Sequence, residues 1–180
     1  MLLLKENMLP KRIYLKLCCV LSLSIMPLGL LAQTKTPAPE DKVLKVFLKT
    51  AAPSSPQRLV AEWDLASLKK LPQKTFTTHT PWFKEPVTFT GPLVRDVLAN
   101  AQLKGNMLDA VALDDYKSKI PFSDVMNFDV ILAHSINGVQ LSAKNKGPLF
   151  IVYPYDSKKE LQAVVYYQRS VWQLKALVVE

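Results

Sequence analysis

From Lys42 to Glu180 no periodicity persists for long, because short runs rich in Val, Ile, Phe, Tyr and Trp alternate with turn signals and brief helical patterns. A chain punctuated in this way has no room for long helices. The alternation predicts an α+β fold made of β-rich mixed sheets with short helices. Val43 to Lys49 and Arg58 to Trp63 read as strands around a Pro/Ser loop, Ala51 to Pro56. Asp64 then caps a short helix in which Leu65, Leu68 and Leu71 recur at helical spacing, and Pro72 ends it by lacking an N–H and clashing with the preceding turn. Lys74 to Thr80 and Pro86 to Thr90 read as extended. Gly91-Pro92 is expected to open a second helix, with proline at its first position and Leu93, Val97, Leu98 and Ala101 as an apolar stripe running toward Gly105.

Leu108 to Leu113 and Tyr116 to Ile120 are predicted to pair around an Asp114-Asp115 turn, and Pro121 to start a helical turn. Asp129 to Ile136 reads as one apolar strand. Asn137-Gly138 is a two-residue hairpin signal, since both central residues of such a turn need φ > 0, and Val139 to Leu141 should return antiparallel. Leu149 to Tyr153 is almost continuously apolar, the pattern of a strand buried on both faces. Ser170 to Glu180 reads as the closing strand.

Ahead of this domain, Lys5, Lys11, Arg12 and Lys16 precede an apolar run from Leu17 to Ala32, the layout of a secretory signal peptide over residues 1–32. The run is shorter than the roughly 20 apolar residues of a spanning helix and is broken by Pro27 and Gly29. An uncleaved anchor is the alternative. Residues 33–41 (QTKTPAPED) mix proline, threonine and charge as a flexible tether does, and 42–180 form one domain. The expectation is export, to the periplasm where the host has an outer membrane, with no stable membrane span after processing. Cleavage would leave 148 of the 180 residues and remove both cysteines, Cys18 and Cys19, so the mature chain offers neither a thiolate nor a disulfide.

The net charge of +8 falls to +5 without the leader's four basic residues and Glu6. The remaining lysines are scattered in pairs with no arginine-rich stripe, which argues against nucleic-acid binding. The glycines are isolated, so no phosphate-cradling loop exists, and no G-x-S-x-G elbow supports a serine hydrolase. His79 and His134 stand in none of the H-x-H, HExxH or CxxC spacings, so no protein-ligated metal is expected.

Thr78 to Trp82 (THTPW), Gly91 to Leu98 (GPLVRDVL), Ala112 to Pro121 (ALDDYKSKIP), Asp129 to His134 (DVILAH), Ile136 to Leu141 (INGVQL), Gly147 to Pro154 (GPLFIVYP) and Arg169 to Val179 (RSVWQLKALVV) follow one another in a familiar order. Together, from about Val43 to the end, they resemble the sulfite-oxidase-type molybdopterin-binding domain. More narrowly, they resemble the short exported members of the oxidoreductase molybdopterin-binding family. The resemblance implies that fold, and a molybdenum held by a pterin dithiolene and one cysteine thiolate. Between Lys74 and Trp82, where the family enzymes carry that cysteine, this chain has Thr77, Thr78, His79 and Thr80. Arginines that grip phosphate and oxyanions are also few: Arg58, Arg95 and Arg169.

Against that background the candidate cofactor-binding residues are His79, Trp82, Asp115, Tyr116, Arg169 and Trp172. His79, beside Pro81-Trp82, is either a ligand contact or a turn histidine satisfied by the backbone. Asp114, Asp115 and Tyr116 either orient a pterin or another heterocycle or form a hairpin turn, with Tyr116 in the core. Trp82, Trp172 and Tyr153 serve as core or as stacking platforms. Arg169 is the anion-contact candidate, Arg95 is expected to pair with Asp96 or Glu85, and His134 reads as a core histidine. Two functions follow. One is a non-catalytic module on a molybdopterin-binding-like scaffold that binds a small-molecule ligand or an envelope protein partner. The alternative is a molybdopterin-dependent oxidoreductase with a non-cysteine metal environment.

Overall fold

Alternation of apolar and polar residues sets the first strand, β1 (Leu44–Leu48), which buries Leu44 and Val46 and exposes Lys45. This computed structural model describes residues 41–50 and 56–180, so the leader, nearly all of the tether and residues 51–55 of the Pro/Ser loop lie outside the described residues. β2 (Arg58–Trp63) pairs antiparallel with β1. The helix α1 (Leu65–Lys70) follows, and the Asp64 carboxylate accepts the Ser67 N–H at 2.8 Å, satisfying one of the donors a helix start leaves open. β3 (Gln73–Thr80) and β4 (Phe83–Pro92) form a long hairpin. α2 (Val94–Asn100), β5 (Met107–Ala112), β6 (Lys117–Pro121) and α3 (Phe122–Asn127) come next. The chain then forms β7 (Ile131–Ala133), β8 (Ser135–Ile136), β9 (Val139–Gln140) and β10 (Phe150–Val152). Two single-turn 3₁₀ segments, Tyr155–Ser157 and Lys159–Gln162, lead to α4 (Val164–Gln168) and the closing strand β11 (Leu174–Val179).

Among the described residues these strands make three sheets. The five-stranded sheet runs β2-β1-β11-β5-β6, with β1 parallel to β11 and the other neighbours antiparallel. Its inner residues, Leu44, Val46, Leu108, Ala110, Leu177 and Val179, join the main core, while Val111, Ala176 and Val178 pack with Phe47 as a separate small cluster. The four-stranded sheet β3-β4-β8-β9 is antiparallel, and β7 pairs with β10 as a fully buried ribbon. Both the β-rich α+β class and the short helices match what the sequence predicts. Among the described residues no helix is long and apolar enough to cross a membrane.

Four local expectations are corrected. Asp129 to Ile136 is not one strand. His134 donates its backbone N–H to the Thr90 carbonyl and accepts that of Leu141, and the chain passes there from the β7–β10 ribbon into the β4–β8 ladder. Pro92 is not the first helical residue, because it ends β4 opposite Gln73, the first residue of β3, and Leu93 caps α2. That helix stops at Asn100, well before Gly105, since Gln102 adopts φ 55°. The closing strand starts at Leu174, because Gln173 at φ 50° cannot continue extended backbone. The Asn137-Gly138 turn is as expected, with φ of 50° and 76°.

Gly91 marks where β4 runs against β7, and a Cβ there would strike the Leu132 carbonyl group and the Ala133 Cα. Backbone cannot swing aside as a flexible side chain can. Gly91→Ala is therefore expected to cost about 1–3 kcal/mol in urea unfolding, and an unchanged midpoint would show that the two strands have more slack than this.

Candidate functional site

Pro81-Trp82 forms the turn between β3 and β4 and carries the Trp82 indole into a cluster of rings. Phe150 lies 5.3 Å away at 62°, Trp172 5.7 Å at 88°, Tyr167 6.2 Å at 81° and Tyr155 6.3 Å at 65°. Edge-to-face pairs of this kind contribute about 0.5–1.5 kcal/mol each beyond the area they bury. Phe150 and Tyr155 are fully buried beneath the cluster, while Trp172 at its rim is 38% exposed.

Beside these rings lies a cleft of about 490 Å³. Its walls are Trp82, Tyr116, Tyr167 and Trp172, with Pro81, Ala112, Gln168, Ser170 and Val171 filling between them and the carboxylate-bearing Asp114 included. Among the described residues no lysine or arginine lines it. Size and lining match small-molecule pockets, which are largely apolar with a few placed polar groups. The Tyr116 hydroxyl donates to the Gln168 carbonyl at 3.3 Å, fastening the β5–β6 turn to the end of α4. The Asp114 carboxylate accepts the Tyr116 N–H at 3.1 Å, an Asx turn. Ser170 is buried and donates its Oγ–H to the Tyr166 carbonyl at 2.9 Å while also meeting the Tyr155 hydroxyl.

The six residues singled out from sequence divide into two groups. Trp82, Tyr116 and Trp172 line the cleft, and Asp114 joins them. Tyr116 is half exposed at this rim rather than in the core. Asp115 turns away at φ 66° and pairs with Lys175 at 2.6 Å, a bond that holds its carboxyl below the usual range. His79 and Arg169 do not line the cleft either.

His79 is exposed near the end of β3, with Nδ1 2.9 Å from the Asp156 carboxylate, which also accepts the His79 backbone N–H at 2.8 Å. The Asp156 N–H donates in return to Thr78 Oγ1 at 3.0 Å, so the pair clips the edge strand to the first 3₁₀ turn. Burial pushes the Asp156 carboxyl up, but the bonds from His79 outweigh it and keep it low.

Arg169 points inward instead of toward a ligand. Its Nη1 lies 2.8 Å from Asp124 Oδ2, and the Tyr153 hydroxyl donates to the same oxygen at 2.9 Å. Burial first, then the Asp124 charge, pushes the Tyr153 phenol far above its ordinary range. Arg95 likewise pairs with Asp129 at 2.8 Å and the Phe128 carbonyl at 3.2 Å, rather than with Asp96 or Glu85.

His134 is buried, with Nε2 2.9 Å from Gln73 Oε1, while its Nδ1 has no partner among the described residues. Burial, and then the Lys69 charge, lowers its pKa from the ordinary 6.5. The unfolded chain therefore binds the proton first, and stability contributed by this group is present above about pH 6.5 and lost as pH falls toward the folded value. Urea midpoints measured from pH 7.5 down to 5 should drop less in His134→Gln than in the parent chain. Parallel pH profiles would assign the loss elsewhere.

Tyr167 and Gln168 carry no signal pointing to the cleft, because α4 is too short to show a stripe or a cap, and Ser170 reads from sequence as part of the closing strand. Among the described residues no group of three or more His, Cys, Asp or Glu side chains is placed to hold a metal ion.

The family model of the oxidoreductase molybdopterin binding domain matches residues 56–159, more than half of the chain. Among solved structures, the sulfane dehydrogenase SoxCD from Paracoccus pantotrophus superposes with a TM-score of 0.53 at 18% identity, over 76% of this chain and 38% of that one. The likeness is one of fold, and the chain spans well under half the length of that protein. No curated protein sequence matches significantly.

Proposed function

Because the chain belongs to the oxidoreductase molybdopterin binding domain family, we propose that it is an exported, non-catalytic member whose cleft binds a small ligand or a partner's side chain rather than a working molybdenum centre. The observation that carries this is the donor set. Among the described residues the cleft presents rings, the hydroxyls of Tyr116, Tyr167 and Ser170, an amide and one carboxylate, with no thiolate, lysine or arginine in its lining. Residues 42–180 contain no cysteine, so the soft anionic donor that the family resemblance calls for has no source in the domain. A pterin phosphate would meet a carboxylate instead of an arginine fork, since Arg169 and Arg95 are engaged with Asp124 and Asp129. The residues present do not fit the cofactor.

A molybdopterin-dependent oxidoreductase with a non-cysteine metal environment is the competing reading, favoured by the family match alone. Metal analysis and pterin fluorescence on protein exported from its native host separate the two. The expected result is molybdenum and pterin far below one per chain, and stoichiometric amounts of both would establish the enzyme.

A further inference from the structure

The charge and ring arrangement of the cleft point to a ligand class. Tyr167 and Trp172 stand at 81° and 88° to Trp82, each in contact with it, and among the described residues no ring contact joins the two. They flank Trp82 as two walls, and Tyr116 adds a fourth ring to the lining. Asp114 supplies a carboxylate that makes no ion pair among the described residues, whereas the adjacent Asp115 is neutralised by Lys175. In a chain with 23 basic against 15 acidic residues, a cleft whose described lining holds a carboxylate without an ion pair and no lysine or arginine selects for positive charge. Trp172 already accepts one cation, because the Lys146 ammonium sits 4.1 Å from its ring centroid, reaching it from the neighbouring groove that Lys146 shares with Phe83 and Ile136. Aromatic faces attract ammonium groups through their quadrupole, and several rings around one cation exclude the water that would otherwise compete.

We infer that the cleft binds a small organic cation carrying a quaternary or methylated ammonium group, held among Trp82, Tyr167, Trp172 and Tyr116 with Asp114 as counter-charge. This rests on the proposal that the cleft is a ligand site and not a molybdenum centre. A methylated ammonium fits better than a bare one, since its methyl groups pack on rings, whereas a bare ammonium has three N–H donors to satisfy in a lining made mostly of rings.

The test is titration of the natively exported chain with choline and, separately, with its uncharged isostere 3,3-dimethylbutan-1-ol, read by calorimetry and by tryptophan fluorescence. Choline should bind saturably, at least about tenfold more tightly than the isostere. Asp114→Asn keeps the acceptor for the Tyr116 N–H but removes the charge, so it should weaken choline about tenfold without changing circular dichroism. Trp172→Ala should do the same, and Asp114→Asn carries the test alone if that variant fails to fold. Equal affinity for choline and the isostere, or no choline binding, overturns the cation assignment. If molybdenum is then also far below one per chain, the assignment alone falls; stoichiometric molybdopterin removes this inference together with the reading beneath it.

Discussion

Arg169→Ala is expected to destabilise the domain by about 3–5 kcal/mol, because it leaves the Asp124 carboxylate buried and without its counter-charge. Asp124 is 8% exposed at its side chain and Arg169 21%, so little water reaches the pair. The cluster ties three elements that are distant in sequence: α3 through Asp124, the end of β10 through Tyr153, and the end of α4 through Arg169. Tyr153 can still donate to the stranded carboxylate, but a neutral phenol does not balance its charge. Asp124→Asn in the Arg169→Ala background should recover part of the loss, since it removes the unpaired charge. Urea unfolding of the two variants checks this, and a loss under about 1 kcal/mol in Arg169→Ala would mean that the pair is solvated and contributes as a surface bridge does.

Phe150→Ala comes next, with an expected loss of about 3–5 kcal/mol. The ring is fully buried and lies 5.3 Å from Trp82, 6.0 Å from Phe89 and 6.1 Å from Trp172. Removing it opens a cavity beneath Trp82 and Trp172, within a strand whose three residues are all buried. Phe150→Leu should retain more than half of the stability. The tryptophan emission of the alanine variant should also move to longer wavelength as Trp82 and Trp172 lose their support, so an unshifted spectrum with parent-like stability would contradict the packing described.

Features with a local physical cause were legible in the sequence. Asp64 caps α1 because its carboxylate reaches a nearby N–H, Asn137-Gly138 turns because both residues tolerate positive φ, and the Leu149 to Tyr153 run is buried because it has no polar side to expose. What depended on distant partners was not. The break at His134 arises from bonds to Thr90 and Leu141, and Pro92 stays in β4 because Gln73 lies opposite it. The site divides in the same way. Trp82, Tyr116 and Trp172 could be singled out by residue type, but Tyr167 joins them only through a five-residue helix. Arg169 looked available for an anion because its partner, Asp124, lies 45 residues earlier in the chain.

The proposed function requires that the donors of residues 42–180, which include no cysteine, do not retain molybdenum. Isolated molybdopterin cofactor, mixed with the purified chain and then desalted, tests that without dependence on how the host loads its proteins. Essentially no molybdenum should travel with the polypeptide, while one retained atom per chain would show that the cofactor is held without a cysteine.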